Sequence, residues 1–147
     1  MAELLLKNNL TDYLNYIDSN KIKKSDITYT INNDISKLTN YIIYGPSGTG
    51  KYTQALKIIK IFSKSNLKYN KKIMISHNKA DYSIKISDIH FEIDMELLGC
   101  NSKSLWNEIF NNITNIINSN SHHSGIILCK NFQCLCIFTC TRWSINN

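Results

Sequence analysis

The chain has 147 residues, of which 43% are apolar and 19% are charged, and its formal net charge is +6. This balance excludes a disordered polymer, and the length suits a single domain that buries roughly 70% of its unfolded surface. The longest apolar runs fall well short of the roughly 18 residues that a membrane-spanning helix needs, and the early acid Glu3 argues against a secretory signal. We therefore expect a globular intracellular protein that is neither secreted nor bound to a membrane.

Three amino acids dominate the composition: the chain holds 24 Ile, 20 Asn and 16 Lys but one arginine, Arg142. Their codons are rich in A and T, so base composition explains much of the positive charge. The charge alone therefore favours a solvated surface over a dedicated nucleic-acid patch. The five cysteines are an odd number without C-x-x-C pairs, which predicts reduced thiols and no structural metal site.

The first predicted element is an amphipathic helix from Leu4 to Ile17, because its apolar residues recur every three or four positions. The following polar segment, residues 19–39, is predicted to be a connector that holds at most a short strand around Tyr29. Together, residues 1–39 form an N-terminal helix and connector that we expect to pack on the main domain.

The main domain is predicted to begin at Asn40 with a buried strand, because Tyr41 to Tyr44 are aromatic and β-branched residues that end at a Gly-Pro turn. A helix from about Gly50 to Ser65 follows, with apolar residues at helical spacing.

Further strands are predicted at residues 72–75, 83–86 and 89–94, with loops at 77–80 and 99–101. Asn101 or Ser102 can cap a second helix, and Gly125 to Cys129 forms the last strand. Strands that alternate with helices indicate an α/β domain, residues 40–132, with a parallel sheet covered on both faces. Residues 133–147 form an atypical tail rich in Cys and aromatic residues.

The strongest motif is a glycine-rich loop between the predicted first strand and its helix. Glycines let backbone N–H groups point at phosphate oxygens, the helix adds its positive end, and the lysine reaches the β and γ phosphates. We predict that this loop binds ATP or ADP. The predicted binding residues are Gly45, Pro46, Ser47, Gly48, Thr49, Gly50, Lys51, Tyr52 and Thr53.

Hydrolysis requires residues that the chain lacks. Tyr52 stands where a Ser or Thr hydroxyl would bind Mg²⁺, which leaves the metal in question, although Thr53 can still contact an α or β phosphate. Lys130 and Asn131 follow the last strand, where acids would hold the metal and activate water. The acids Glu92, Asp94 and Glu96 lie one predicted element earlier. We predict nucleotide binding without efficient hydrolysis, with no catalytic and no metal-binding residue.

The phrase from Gly45 to Lys51, followed by Tyr52 and Thr53, resembles the small subunits of the replication factor C clamp loader, which are AAA+ ATPases. The stretches 90–94 and 99–101 are similar to the segment between the two nucleotide motifs of those subunits. The resemblance implies a three-layer P-loop NTPase fold. It also implies a role in DNA replication, in the nucleus, in the cytoplasm or at a viral replication site. The partners that it implies are other clamp loader subunits, a sliding clamp and, weakly, primer-template DNA.

The resemblance covers roughly residues 40–132, and no sensor motif, arginine finger, helical lid or collar sequence follows Phe132. We therefore expect a truncated or frame-shifted reading frame whose last fifteen or so residues are not family sequence.

Three alternatives stay open. One is a nucleoside monophosphate kinase, because the residues from Gly50 to Ala55 are also similar to an adenylate kinase phrase, although a single arginine argues against it. The others are a nucleotide-binding structural module and a non-functional fragment.

Overall fold

The computed structural model describes residues 10–19, 31, 33–77, 80–119 and 124–134. These residues form a four-stranded sheet and several helices. The α-helices are α1 (Leu10–Ser19), α2 (Lys51–Phe62) and α3 (Ser102–Ser119), and the strands are β1 (Asn70–His77), β2 (Ala80–Ser87), β3 (His90–Asp94) and β4 (Ile126–Lys130). Short 3-10 segments span Ile35–Lys37, Met95–Asn101 and Phe132–Cys134.

The sheet is mixed, with the strand order β1-β2-β3-β4. β1 pairs antiparallel with β2, and β2 antiparallel with β3, whereas β3 and β4 are parallel. The prediction of a parallel sheet is therefore wrong for two of the three strand pairs and holds for the pair β3 and β4. The reason is that only two residues separate β1 from β2 and β2 from β3, and only the connection through α3 is long enough for a parallel crossover.

One face of the sheet packs against α3. Leu105, Ile109 and Ile113 recur every four residues, so they lie on one side of that helix and are fully buried. They meet apolar side chains of alternate strand positions. The sheet and the segment after β3 contribute Ile75, Ile84, Phe91, Ile93, Met95 and Leu98 to this core.

A second core lies on the other face, where α1 and α2 pack together. Its buried residues are Leu10, Leu14, Leu56, Ile59 and Leu67. Successive residues of β4 serve the two cores in turn, because side chains alternate across a strand. Ile126 and Leu128 pack against the second core, whereas Ile127 and Cys129 pack against the first. The N-terminal helix is thus packed on the domain as predicted, although its predicted residues 4–9 lie outside the described part.

The prediction of a buried strand from Tyr41 to Tyr44 is wrong. These residues have no regular secondary structure and lead directly into the glycine-rich loop. Ile42 is 89% exposed and Tyr44 is 87% exposed. A run of β-prone residues becomes a strand only where a neighbour completes its backbone hydrogen bonds. Among the described strands, β4 pairs with β3 alone and none pairs with this segment.

The other predicted elements are found with shifted ends. α2 ends at Phe62 rather than Ser65, and the predicted loop at 99–101 is the end of a 3-10 segment that kinks at Gly99, where φ is 57°. α3 begins at Ser102, and β4 covers most of the predicted last strand. Most of the connector and most of the Cys-rich tail lie outside the described residues. Within the described part, no helix has the length and apolar character to cross a membrane.

Candidate functional site

The glycine-rich loop, residues 45–51, is an exposed turn that ends in the first residue of α2. Gly48 and Gly50 have φ angles of 79° and 77°, in the left-handed region that other L-residues seldom adopt. A Cβ at either position would meet no atom within 4 Å. The two glycines are therefore required by the backbone conformation of the loop and not by a lack of space.

The start of α2 has backbone donors without a partner inside the helix. Its N-cap is Gly50, and within the described part of the chain no side chain caps the helix. The first helical hydrogen bond that follows the cap is donated by the N–H of Gln54 to the carbonyl of Gly50, at 3.0 Å. The N–H groups of Lys51, Tyr52 and Thr53 precede it and lack an acceptor one turn earlier. The dipole of the helix adds positive potential at this end, so the site attracts an anion.

The Lys51 side chain folds back over the loop. Its Nζ donates to the carbonyl oxygen of Gly45 at 2.8 Å and to that of Pro46 at 2.6 Å. The hydroxyl of Thr49 also donates to the Pro46 carbonyl, at 2.9 Å. These contacts hold the ammonium against the backbone of the loop.

Tyr52 is the next residue of the helix, and its side chain is directed into the protein. The hydroxyl donates to Oε2 of Glu92 at 2.7 Å, and the ring centre lies 5.6 Å from that of Tyr13. Burial, followed by the charge of Glu92, raises the pKa of Tyr52 far above its ordinary value. The hydroxyl therefore remains protonated and acts as a hydrogen-bond donor to the carboxylate.

Thr53 is buried, with 6% of its surface exposed, and its hydroxyl lies 3.0 Å from that of Tyr13. This hydroxyl joins α1 to α2. The backbone N–H of Thr53 is thus the group that this residue offers to an anion at the helix start.

Glu92 is the centre of a charged group on the same side of the sheet as α2, which we call the Glu92 cluster: Tyr52, Lys85, Glu92, Asp94 and Lys130. The side chain of Glu92 is 2% exposed, and its Oε1 lies 2.9 Å from Nζ of Lys130 and 3.7 Å from Nζ of Lys85. Burial alone would raise the pKa of Glu92. Hydrogen bonds from Lys130 and Tyr52 and the charges of both lysines outweigh burial, so the pKa lies below its ordinary value and the group is a carboxylate.

Asp94 and Asn131 interact where β3 and β4 end. Asn131 has a φ of 52°, which asparagine tolerates better than most residues, and its Nδ2 donates to Oδ1 of Asp94 at 3.0 Å. The other oxygen of Asp94 lies 3.8 Å from Nζ of Lys130. Lys130 and Asn131 therefore hold the carboxylates of the neighbouring strand.

Sequence reasoning did not place Glu92 and Asp94 in the site, because they belong to an earlier element. The parallel register pairs Glu92 with Leu128 and Asp94 with Lys130, which brings the acids of β3 beside the last residues of β4. The observation that could have predicted this is that strands joined through a helix run parallel, so that their carboxyl ends meet at one edge. Among the described residues, no group of three or more His, Cys, Asp or Glu side chains is arranged to hold a metal ion.

No protein-family model matches the sequence, and comparisons with curated proteins and with solved structures find no match either.

Proposed function

We propose that this chain binds the phosphate groups of ATP or ADP through residues Gly45 to Thr53 and does not hydrolyse ATP efficiently. The observation that carries the proposal is the uncapped start of α2, where Gly50 leaves three N–H groups of the first turn without a helical acceptor. Lys51 adds an ammonium held by the carbonyls of the same loop. Backbone donors, a helix dipole and a lysine at one exposed turn are the groups that bind phosphate in glycine-rich loops.

The absence of efficient hydrolysis follows from the side chains around the loop. The Tyr52 hydroxyl is engaged with Glu92, and Thr53 is engaged with Tyr13. Glu92 and Asp94 in turn interact with Lys130 and Asn131. A general base must have a lone pair free for the attacking water, and these carboxylates are already paired with cations or amides.

The helices on both sides of the sheet fit a three-layer P-loop NTPase domain, which we propose as the fold class. The resemblance to replication factor C small subunits extends the proposal to a nucleotide-binding subunit of a clamp-loader-like assembly, with other subunits, a sliding clamp and primer-template DNA as partners. In such an assembly, bound nucleotide can stabilise an interface without being turned over.

Equilibrium titration with a fluorescent ATP analogue tests the proposal. Replacing Lys51 with Ala removes the ammonium at the loop and is expected to weaken binding at least about tenfold. Lys60→Ala is the matched control, because Lys60 lies in the last turn of the same helix. Equal affinities for the two variants would contradict the proposal.

The same purified proteins are then incubated with Mg²⁺ and excess ATP, and phosphate release is measured. We expect the unmodified chain to release phosphate no faster than Lys51→Ala. Release clearly above that of the variant would show that the chain is an active ATPase.

A further inference from the structure

The Glu92 cluster contains as many ammonium groups as carboxylates. Glu92 and Asp94 contribute two negative charges, and Lys85 and Lys130 contribute two positive charges. Most phosphate loops that bind nucleotide place a divalent cation next to the loop, and carboxylates at a strand end help to hold it. In this chain, the carboxylates in that region are already neutralised by lysine.

Every carboxylate oxygen in the cluster has a partner. Glu92 Oε1 faces the two lysines, and Oε2 accepts the Tyr52 hydroxyl. Asp94 Oδ1 accepts from Asn131 and, at 3.2 Å, from the N–H of Glu96, whereas Oδ2 faces Lys130 at 3.8 Å. Mg²⁺ requires near-octahedral oxygen ligands at about 2.0–2.1 Å. Such an ion would have to displace Lys130 from both carboxylates, so the residues present do not fit Mg²⁺.

Lys130 lies against the first turn of α2, which directly follows the loop that we propose to bind phosphate. Its Nζ lies 5.5 Å from the centre of the Tyr52 ring, and Tyr52 belongs to the first turn of α2. Its side chain is 31% exposed, so an anion can approach the ammonium while the ammonium stays paired with Glu92. An ammonium fixed in this way neutralises phosphate charge as a metal ion would, with one charge instead of two.

We propose that the Lys130 ammonium, anchored by Glu92 and Asp94, takes the place of the divalent cation, so that nucleotide binding is independent of metal. This inference rests on the proposed function, because it concerns the same phosphate site. It specifies that the ligand is the metal-free nucleotide, and it identifies Lys130 as a binding residue that the glycine-rich motif does not contain.

The test compares binding of ATP to the full chain in excess EDTA and in excess Mg²⁺. We expect ATP to bind at least as tightly in EDTA as in Mg²⁺, so the dissociation constant in EDTA should not exceed that in Mg²⁺ by more than about threefold. Lys130→Met is expected to weaken binding in EDTA at least about fivefold. Lys57→Met is the matched control, because Lys57 also pairs with an acid, Asp18, and its side chain is 32% exposed against 31% for Lys130.

The outcomes separate the two proposals. Absence of binding in both buffers would overturn nucleotide binding and this inference with it. Binding that needs Mg²⁺, or equal affinities for Lys130→Met and Lys57→Met, would overturn the inference and leave nucleotide binding standing. If Lys130→Met fails to fold in a thermal melt, Lys130→Arg replaces it. This variant keeps the charge and must retain binding in EDTA, and loss of that binding in folded protein would overturn the inference.

Discussion

Lys51 and Tyr52 are adjacent in the first turn of α2, yet their side chains contact different parts of the protein. Lys51 contacts the carbonyls of the exposed loop, whereas Tyr52 donates to the buried carboxylate of Glu92. A Ser or Thr in place of Tyr52 is too short for the contact with Glu92, because its hydroxyl is attached directly to Cβ. The tyrosine therefore links α2 to the sheet.

Among the described residues, His90 is a buried side chain of the sheet that lacks a full set of hydrogen-bond partners. It is 1% exposed, and its Nδ1 is hydrogen-bonded to the Ser87 hydroxyl. Its Nε2 has no hydrogen-bond partner among the described residues. Burial lowers the pKa of His90 and outweighs the carboxylates of Glu92 and Asp88, which act in the opposite direction, while Lys85 acts in the same direction as burial. The folded protein therefore holds this imidazole neutral.

This burial predicts a pH dependence of stability. The unfolded chain takes up a proton on His90 near its ordinary pKa of about 6.5, whereas the folded chain resists it, so the free energy of unfolding falls as the pH drops below about 6.5. Urea unfolding at about pH 7.5 and pH 5.5 measures the loss. In His90→Gln, the difference between the two pH values is expected to shrink.

The carboxylates near His90 do not account for this pH dependence of the free energy of unfolding. The pKa values of Glu92 and Asp88 lie below their ordinary values, so both groups stay ionised until the solution is more acid. An unchanged pH dependence in His90→Gln would exclude His90 as its cause.

At the scale of elements, the parallel pair β3 and β4 brings together residues that are far apart in the chain. Asp94 and Lys130 are register partners, with α3 between them in sequence. The carboxyl ends of the two strands thus meet at one edge, which is where ligands bind in open α/β sheets. The segment from Tyr41 to Tyr44 leads to the glycine-rich loop without being part of this sheet.

Hydrogen exchange checks the position of that segment. The amides of Ile42, Ile43 and Tyr44 are expected to exchange at nearly the unprotected rate, because these residues have no regular secondary structure. The amides of Phe91 and Ile93 in the central strand β3 are expected to exchange at least about 100-fold more slowly. Equal protection in the two segments would show that residues 41–44 form a strand after all.

At the scale of the whole molecule, the net charge of +6 influences which partners the chain attracts and does not determine its fold. Four exposed lysines of the described residues lie close together where the chain enters the sheet: Lys64, Lys68, Lys71 and Lys72. Lysines spread along one exposed segment attract a phosphate backbone without reading its sequence.

We expect the chain to bind primer-template DNA weakly and to lose that binding steeply as salt increases, because counterion release dominates such contacts. A gel-shift titration over a salt series measures the slope of log affinity against log salt. Replacing both Lys71 and Lys72 with Gln is expected to reduce that slope by up to about 2. Tight, salt-insensitive or base-specific binding would contradict the expectation.

The sequence by itself determined the elements that depend on local chemistry. Gly48, Gly50 and Lys51 predicted a turn followed by the helix α2, because only glycine adopts the left-handed backbone readily and a helix start is positive. The four-residue recurrence of Leu105, Ile109 and Ile113 predicted α3, because residues four positions apart lie on the same face of a helix. β-Branched runs bounded by turns predicted β4 and the core of β1, β2 and β3.

Only the tertiary structure decided which strands pair and which charges meet. The β-prone run from Tyr41 to Tyr44 has the composition of a strand, but backbone hydrogen bonds need a neighbour that local sequence does not specify. Glu92 and Lys130 lie apart in sequence and form an ion pair at 2.9 Å because β3 and β4 run parallel in one register. Register is set by the packing of two cores on opposite faces of the sheet, since a shift of one residue would turn every buried side chain to the wrong face.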